Sequence, residues 1–347
     1  MSKVLLTGGA GFIGSFVARE LVAAGHEVVI FDSFVQYVSP LESCYKHSLK
    51  KRFEGIEDRV TIERGDVRDK LALVRILHQH APTHIVHLAG LPLADMSSRY
   101  PDETVSSILN STVNLLDIIK EVKAVERFLL ISSSMVYGDF IYAPADEDHP
   151  KNPKEVYGGT KFAAEVLTRS YGMRFGVPYT IVRPSAVYGP TDVNNRVSQQ
   201  FVMNAFLGRP LQLHNGGTAT LDFTYVTDTA RGICLALFSD HARNETFNIT
   251  RGEGRSLEEF VGILRGYFPD LAVQYRESDV FRPRRGALDI LKARARLGYT
   301  PEFSLETGIG EYVRFVAANL PEEFIAPRVR ERCEALRLSP AAVTGVL

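Results

Sequence analysis

Tyr157 and Lys161 lie four residues apart in Tyr157-Gly158-Gly159-Thr160-Lys161, a spacing that puts both side chains on one face of a helix. Upstream, the apolar run Arg127 to Ile131 ends in Ser132-Ser133-Ser134. A phenol, an ammonium and a hydroxyl brought together suit proton transfer to and from an alcohol. A phenol titrates near ~10, too high for an efficient base at neutral pH. A nearby ammonium and a cationic redox acceptor both favour the phenolate. A serine from the strand end can bind the same alcohol oxygen. Removing that proton as hydride leaves carbon requires a redox cofactor, so a place for one must exist elsewhere in the chain.

The first residues supply it. Lys3 to Thr7 runs directly into Gly8-Gly9-Ala10-Gly11-Phe12-Ile13-Gly14, and a helix pattern follows. Gly8 permits a tight turn, Gly11 lets the backbone approach a pyrophosphate, and Gly14 lets helix and strand pack closely. Phe12 and Ile13 open a helix whose N-terminal amides favour phosphate. Asp32 follows the second apolar run, where its carboxylate can accept from both adenosine ribose hydroxyls and repel a 2'-phosphate, which selects NAD. After the third run, Asp66 can accept from the adenine amine while Val67 packs on the ring. Leu88 and Ala89, with Gly90, close the fourth run with a backbone that a cofactor can pass. Lys161 can hold the nicotinamide ribose.

The elements that must position these groups alternate. Strands are predicted at Lys3 to Thr7, Glu27 to Phe31, Val60 to Glu63, His84 to Leu88, Arg127 to Ile131 and Pro178 to Val182. Helices are predicted at Ile13 to Ala24, Lys70 to His80, Ser107 to Val122 and Val156 to Phe175. Near-continuous apolar strands interleaved with helices give an α/β fold, a doubly wound parallel Rossmann sheet. The period breaks after Arg183. Helical segments follow at Val197 to Leu207, at Ser256 to Tyr267 behind a capping-box Ser-Leu-Glu-Glu, at Ile290 to Leu297 and at Leu305 to Asn319. The expected organisation is 1–183 as mainly the NAD-binding domain and 184–333 as mainly a smaller substrate lobe with elements returning to the first. Residues 334–347 read as a tail. Gln36 to Phe53 reads as a solvated excursion, and His87 as a satisfied strand residue rather than a base.

The chain has 347 residues, 45% of them hydrophobic, and a formal net charge of -1, a balance that argues against a general nucleic-acid surface. Cys44, Cys234 and Cys333 show no CxxC spacing, which argues against a disulfide framework or a structural zinc site, and no metal is expected. With no apparent signal peptide and no long apolar stretch, the expectation is a cytoplasmic protein with no membrane partner. The basic stretch Arg282, Arg284, Arg285 is local and suits a small anionic ligand.

These motifs together resemble the extended short-chain dehydrogenase/reductases, in the group of NAD-dependent nucleotide-sugar epimerases and dehydratases. The match runs through the glycine loop, Asp32, Gly65-Asp66-Val67 and Tyr157 to Lys161, then Arg183-Pro184-Ser185-Ala186-Val187-Tyr188-Gly189-Pro190 and Asp222 to Asp228. It covers roughly residues 3 to 320. The resemblance implies Ser133 as the active serine. It also implies a nucleotide-sugar substrate contacted by Leu91, Ser133, Ser134, Arg285 and Arg282, the arginines meeting phosphate. Where the group's 4,6-dehydratases usually carry Asp-Glu, this chain has Ser134-Met135, and its decarboxylating members usually have Glu at the second position. Neither chemistry is served by a thioether, so the resemblance implies an epimerase, most simply at C4 through a transient 4-keto sugar. Two frequent substrate contacts are replaced, by Ala186 and by Leu221. The alternatives are a nucleotide-sugar dehydrogenase or reductase, a dehydratase using other acids, or a non-enzymatic nucleotide sensor or scaffold. The resemblance further implies a homodimer paired through Ser107 to Val122 and Val156 to Phe175.

Overall fold

In the computed structural model, which describes residues 1–37, 44–277, 282–321 and 327–337, the apolar runs fold into one sheet. Its strands are β1 (Lys3–Thr7), β2 (Glu27–Asp32), β3 (Val60–Arg64), β4 (His84–His87), β5 (Arg127–Ile131) and β6 (Tyr179–Arg183), and Glu245–Asn248 joins beside β6. The order is Glu245–Asn248, β6, β5, β4, β1, β2, β3, and every pairing is parallel. Alternate residues of β1 divide between two cores. Val4 and Leu6 pack with the helices Phe12–Ala23 and Val226–Phe238, while Leu5 packs with Lys70–His80, Ser111–Ile119 and Val156–Phe175. Strand order reverses between β1 and β4, and a crevice opens there at the carboxyl ends of the strands.

Local chemistry sets the helix boundaries. The Asp69 carboxylate accepts the Leu71 and Ala72 amides ahead of Lys70–His80. Ser256 and Glu259 form a reciprocal capping box ahead of Leu257–Tyr267. Gly176 in the left-handed conformation ends Val156–Phe175. A separate core is built by Val197–Leu207, Leu257–Tyr267 and Leu305–Asn319, with Phe206, Phe260, Leu264 and Ile309 at its centre.

Three expectations shift. The helix expected over Ser107 to Val122 begins earlier, at Pro101, passes through a π turn at Val105–Asn110, and ends at Ile119. Within the Gln36 to Phe53 excursion, Tyr45–Phe53 is a helix, and residues 38–43 lie outside the described residues. The tail includes the end of a helix, Pro327–Arg337, and its remainder lies outside the described residues. Among the described residues, no helix is long and apolar enough to cross a membrane.

Candidate active site

A cleft of about 940 Å³ runs along the carboxyl ends of the strands. Its floor begins at the glycine loop. Gly8 sits at φ +71, and a Cβ there would lie 2.7 Å from the Ala89 amide nitrogen, so the turn and the approach of the β4 end both require glycine. Gly11, Phe12, Ile13 and Gly14 line the cleft at the start of their helix. The Asp32 carboxylate also lines it and accepts the Ala10 amide at 3.0 Å and the Phe34 amide at 2.8 Å. Burial pushes its pKa up, and those amides pull it back. Val67, Leu88 and Ala89 line the same stretch. The Ser107 hydroxyl, within the π turn, accepts the Leu91 amide at 3.2 Å and fixes Leu91 at the cleft wall.

Beyond this floor stand the reactive groups. A Cβ at Gly158 would lie 2.6 Å from the Met135 carbonyl oxygen, so glycine lets the Tyr157 helix press against the turn after β5. That contact sets Ser133 and Tyr157 close to one another at the cleft. The Ser133 hydroxyl accepts the Met135 amide at 3.2 Å. Burial pushes the Tyr157 phenol up, and Arg196 and the Ser133 hydroxyl oppose it. Lys161 donates to the Ile131 carbonyl at 2.8 Å, with Nζ 5.9 Å from the Tyr157 ring centroid. Burial pushes the Lys161 ammonium down to about 8, against the pull of Glu165. His87 lies beneath, sharing hydrogen bonds with Thr7 at 2.6 Å and Ser111 at 3.2 Å. Burial holds it down at about 3, so it is a neutral core group at physiological pH.

The other wall holds the substrate candidates. Arg282 and Arg285 line it, as do Ala186 and Leu221. Burial pushes the Arg285 guanidinium down to about 10, and its Nε has no hydrogen-bond partner among the described residues. Two predicted contacts are not brought to the cleft. Ser134 is buried and donates to Ser185 at 3.1 Å, because the turn after β5 points Ser133 and Met135 into the opening and Ser134 away from it. Asp66 does not line the cleft, and its carboxylate is held by the Arg68 guanidinium at 2.5 Å. Sequence reasoning missed Arg52, Asn194, Asn195 and Arg196, all lining the cleft. Arg196 is held by Asp192 at 2.8 Å and lies 5.7 Å from the Phe12 ring centroid. The polar triplet Asn194-Asn195-Arg196, just ahead of a helix start and after Gly189-Pro190, was the available signal.

The residues fit a dinucleotide. The glycine loop, Asp32 and the Tyr157–Lys161 pair all line the one cleft. Comparison with known proteins agrees. The model of the NAD dependent epimerase/dehydratase family matches residues 4–250. UDP-glucuronate 4-epimerase 4 of Arabidopsis thaliana is 30% identical over 337 residues, spanning 90% of this chain and 74% of that protein. The dTDP-glucose 4,6-dehydratase of Salmonella typhimurium is 28% identical, spanning 91% of this chain and 93% of that protein. The crystal structure of UDP-glucuronic acid 4-epimerase from Bacillus cereus, in complex with UDP-glucuronic acid and NAD, superposes with a TM-score of 0.84 at 28% identity, covering 91% of this chain and 99% of that one.

Proposed function

The chain belongs to the NAD dependent epimerase/dehydratase family, and from that premise we propose that it epimerises a nucleotide sugar at C4. The observation that carries this reading is Met135, which lines the cleft beside Ser133 where water elimination or decarboxylation would call for a carboxylate. A thioether has no proton to trade at neutral pH. What remains within reach of a sugar is Ser133, Tyr157 and Lys161, which suffices for a reaction that begins and ends as an alcohol.

In this mechanism Tyr157, as tyrosinate, takes the C4 hydroxyl proton while the Ser133 hydroxyl holds the same oxygen. Gly8, Gly11 and Gly14 would cradle NAD with Asp32 on its ribose, and the bound cofactor would supply the acceptor for the C4 hydride and the donor that restores it. Lys161, anchored on the Ile131 carbonyl, keeps its ammonium behind the phenol and favours the charged form when the proton arrives. Ser133 holds the carbonyl oxygen of the keto sugar, and Tyr157 gives the proton back once the opposite face has turned toward the cofactor. Arg285, with Arg282, offers charge for the substrate diphosphate. In this reading residues 1–183 mainly hold NAD and 184–333 mainly hold the sugar.

The test is incubation with a panel of nucleotide sugars, read by NMR. UDP-hexuronates and dTDP-hexoses come first, given the substrates named for the relatives above, followed by UDP-hexoses. The expected product is the 4-epimer with no accumulation of NADH. Stoichiometric NADH, or a dehydrated 4-keto product, sinks the proposal. We further infer a cytoplasmic homodimer. Its three scattered cysteines, with no CxxC spacing, suit a reducing compartment, and Val166 and Met173 of the Tyr157 helix are 44% and 82% exposed, a face suited to a second copy. Light scattering of Val166→Glu, expected to be monomeric, checks the pairing.

A further inference from the structure

Arg52 is a buried cation whose hydrogen bonds go to no carboxylate among the described residues, although Asp192 and Asp32 favour its charge from a distance. It is 3% exposed and takes part in no ion pair among the described residues. Its two arms go to neutral carbonyls: Nη1 donates to Ala10 O at 2.8 Å and Nη2 to Thr191 O at 2.7 Å. Nε has no hydrogen-bond partner among the described residues, and the Tyr45 ring centroid lies 5.9 Å from the guanidinium carbon. Burial pushes this guanidinium down, against the opposing pull of Tyr45, Asp192 and Asp32. A charge kept under such conditions needs a return beyond packing.

The two carbonyls supply one, because they belong to opposite halves of the cleft. Ala10 sits in the glycine loop, and its amide holds Asp32. Thr191 opens the segment that carries Asn194, Asn195 and Arg196 to the substrate wall. That segment is strained: Thr191 and Asn195 sit at φ 67 and 55, a region that non-glycine residues rarely enter. Such backbone persists only where its surroundings over-determine it. Beside it, Asp192 holds Arg196 and accepts the Asn194 amide at 3.2 Å. A planar fork with two donors to two rigid carbonyls fixes distance and angle together, which a lysine reaching one carbonyl does not.

We propose that Arg52 is a positioning residue that braces the cofactor loop against the substrate-binding segment, so that NAD and the nucleotide sugar meet one rigid wall. The brace couples the two ligands: each, by ordering its own half, prepares the other, and the effect is reciprocal. The substrate half of this inference rests on the activity proposed above, and the cofactor half does not.

The experiment uses the full-length holoprotein with Arg52→Lys and Arg52→Met. NAD release is followed by dialysis and chromatography of the denatured protein, UDP-glucose affinity by calorimetry, and unfolding by thermal melting. Both variants are expected to release NAD faster and to bind UDP-glucose about tenfold more weakly, a loss of about 1.4 kcal/mol. NAD release and UDP-glucose affinity that both match wild type, with only the melting temperature lowered, overturn the brace and leave Arg52 a packing residue. A change in one ligand alone also overturns it. If Arg52→Met does not fold, Arg52→Lys decides by the same criteria. Wild-type protein that binds and turns over no nucleotide sugar overturns the proposed activity instead. NAD release then decides the brace alone, and a wild-type rate in Arg52→Lys ends it.

Discussion

Beneath Ser133 a buried acid and a buried base are paired, whereas at the mouth of the cleft Arg282 and Arg285 line the opening. Under Ser133, the Glu165 carboxylate takes Arg183 Nε at 2.8 Å and Nη2 at 2.7 Å, Ser132 Oγ at 2.6 Å and Arg169 at 2.9 Å. Arg183 passes a further bond to Tyr137 at 2.8 Å, whose hydroxyl donates to Asn248 at 2.7 Å. Glu165 and Arg183 are both fully buried. At the mouth, Arg285 keeps an unpartnered Nε, and Arg282 lies 3.9 Å from an exposed Asp95. A saturated network fixes geometry, because each member has one place to be. An Nε without a hydrogen-bond partner beside a cleft is a donor that an arriving anion can use. The floor therefore positions chemistry, and the mouth selects what reaches it.

The partition predicts that floor and mouth variants fail differently. The largest effect belongs to Tyr157→Phe, which removes the acid–base group of the proposed mechanism and leaves the glycine loop and Asp32 untouched. Turnover by NMR is expected to fall about 10²–10⁴-fold with NAD still bound. Turnover near wild type would falsify the assignment of the phenol. Next is Glu165→Gln, which leaves Arg183 buried beside a neutral amide. Denaturant unfolding at pH 7 is expected to show a loss of about 3–5 kcal/mol. Burial alone would raise the Glu165 carboxyl, but Arg183 outweighs it and holds the group below its usual range. Its stabilisation is therefore present above the unfolded-state value and lost as pH falls through the folded-state one. The wild type should converge on the variant in acid, and a constant gap down to low pH contradicts the pairing.

At the mouth, Arg285→Met should do the reverse. An ionic hydrogen bond to the diphosphate is worth about 1.5–3 kcal/mol, so KM should rise about tenfold or more. Stability should hold, since the Arg285 side chain is only half-buried and its Nε makes no hydrogen bond among the described residues. A variant that melts earlier with KM unchanged would move Arg285 from the mouth to the floor.

The two regions also differ in how far sequence reveals them. The glycine loop, Asp32 and the Tyr157–Lys161 pair were legible because each is local: a turn, a strand end, one helix face. The parallel sheet was legible because strands covered on both faces are apolar throughout. The mouth was not, because its parts meet only by folding. Arg52 and Thr191 are 139 residues apart, and nothing near Arg52 in sequence marks its partner. Asp66 looked free for adenine until Arg68, two residues on, took both its oxygens. The π turn at Val105–Asn110 was invisible because π and α turns share the same apolar spacing to within one residue.

The smallest expected effect sharpens the boundary most. Ser134 adjoins Ser133 in sequence, and its resemblance-based role is substrate contact. Its hydroxyl instead donates to Ser185, buried behind the cleft wall. If geometry governs, Ser134→Ala removes one neutral hydrogen bond and costs stability about 0.5–1.5 kcal/mol. It should leave KM and kcat within about twofold of wild type, a change of about 0.4 kcal/mol. Ser133→Ala, one residue away, should lose turnover instead, because that hydroxyl faces Tyr157. A tenfold rise in KM for Ser134→Ala would mean the turn after β5 rotates when the sugar binds, and the line between floor and mouth would run through that turn rather than beside it.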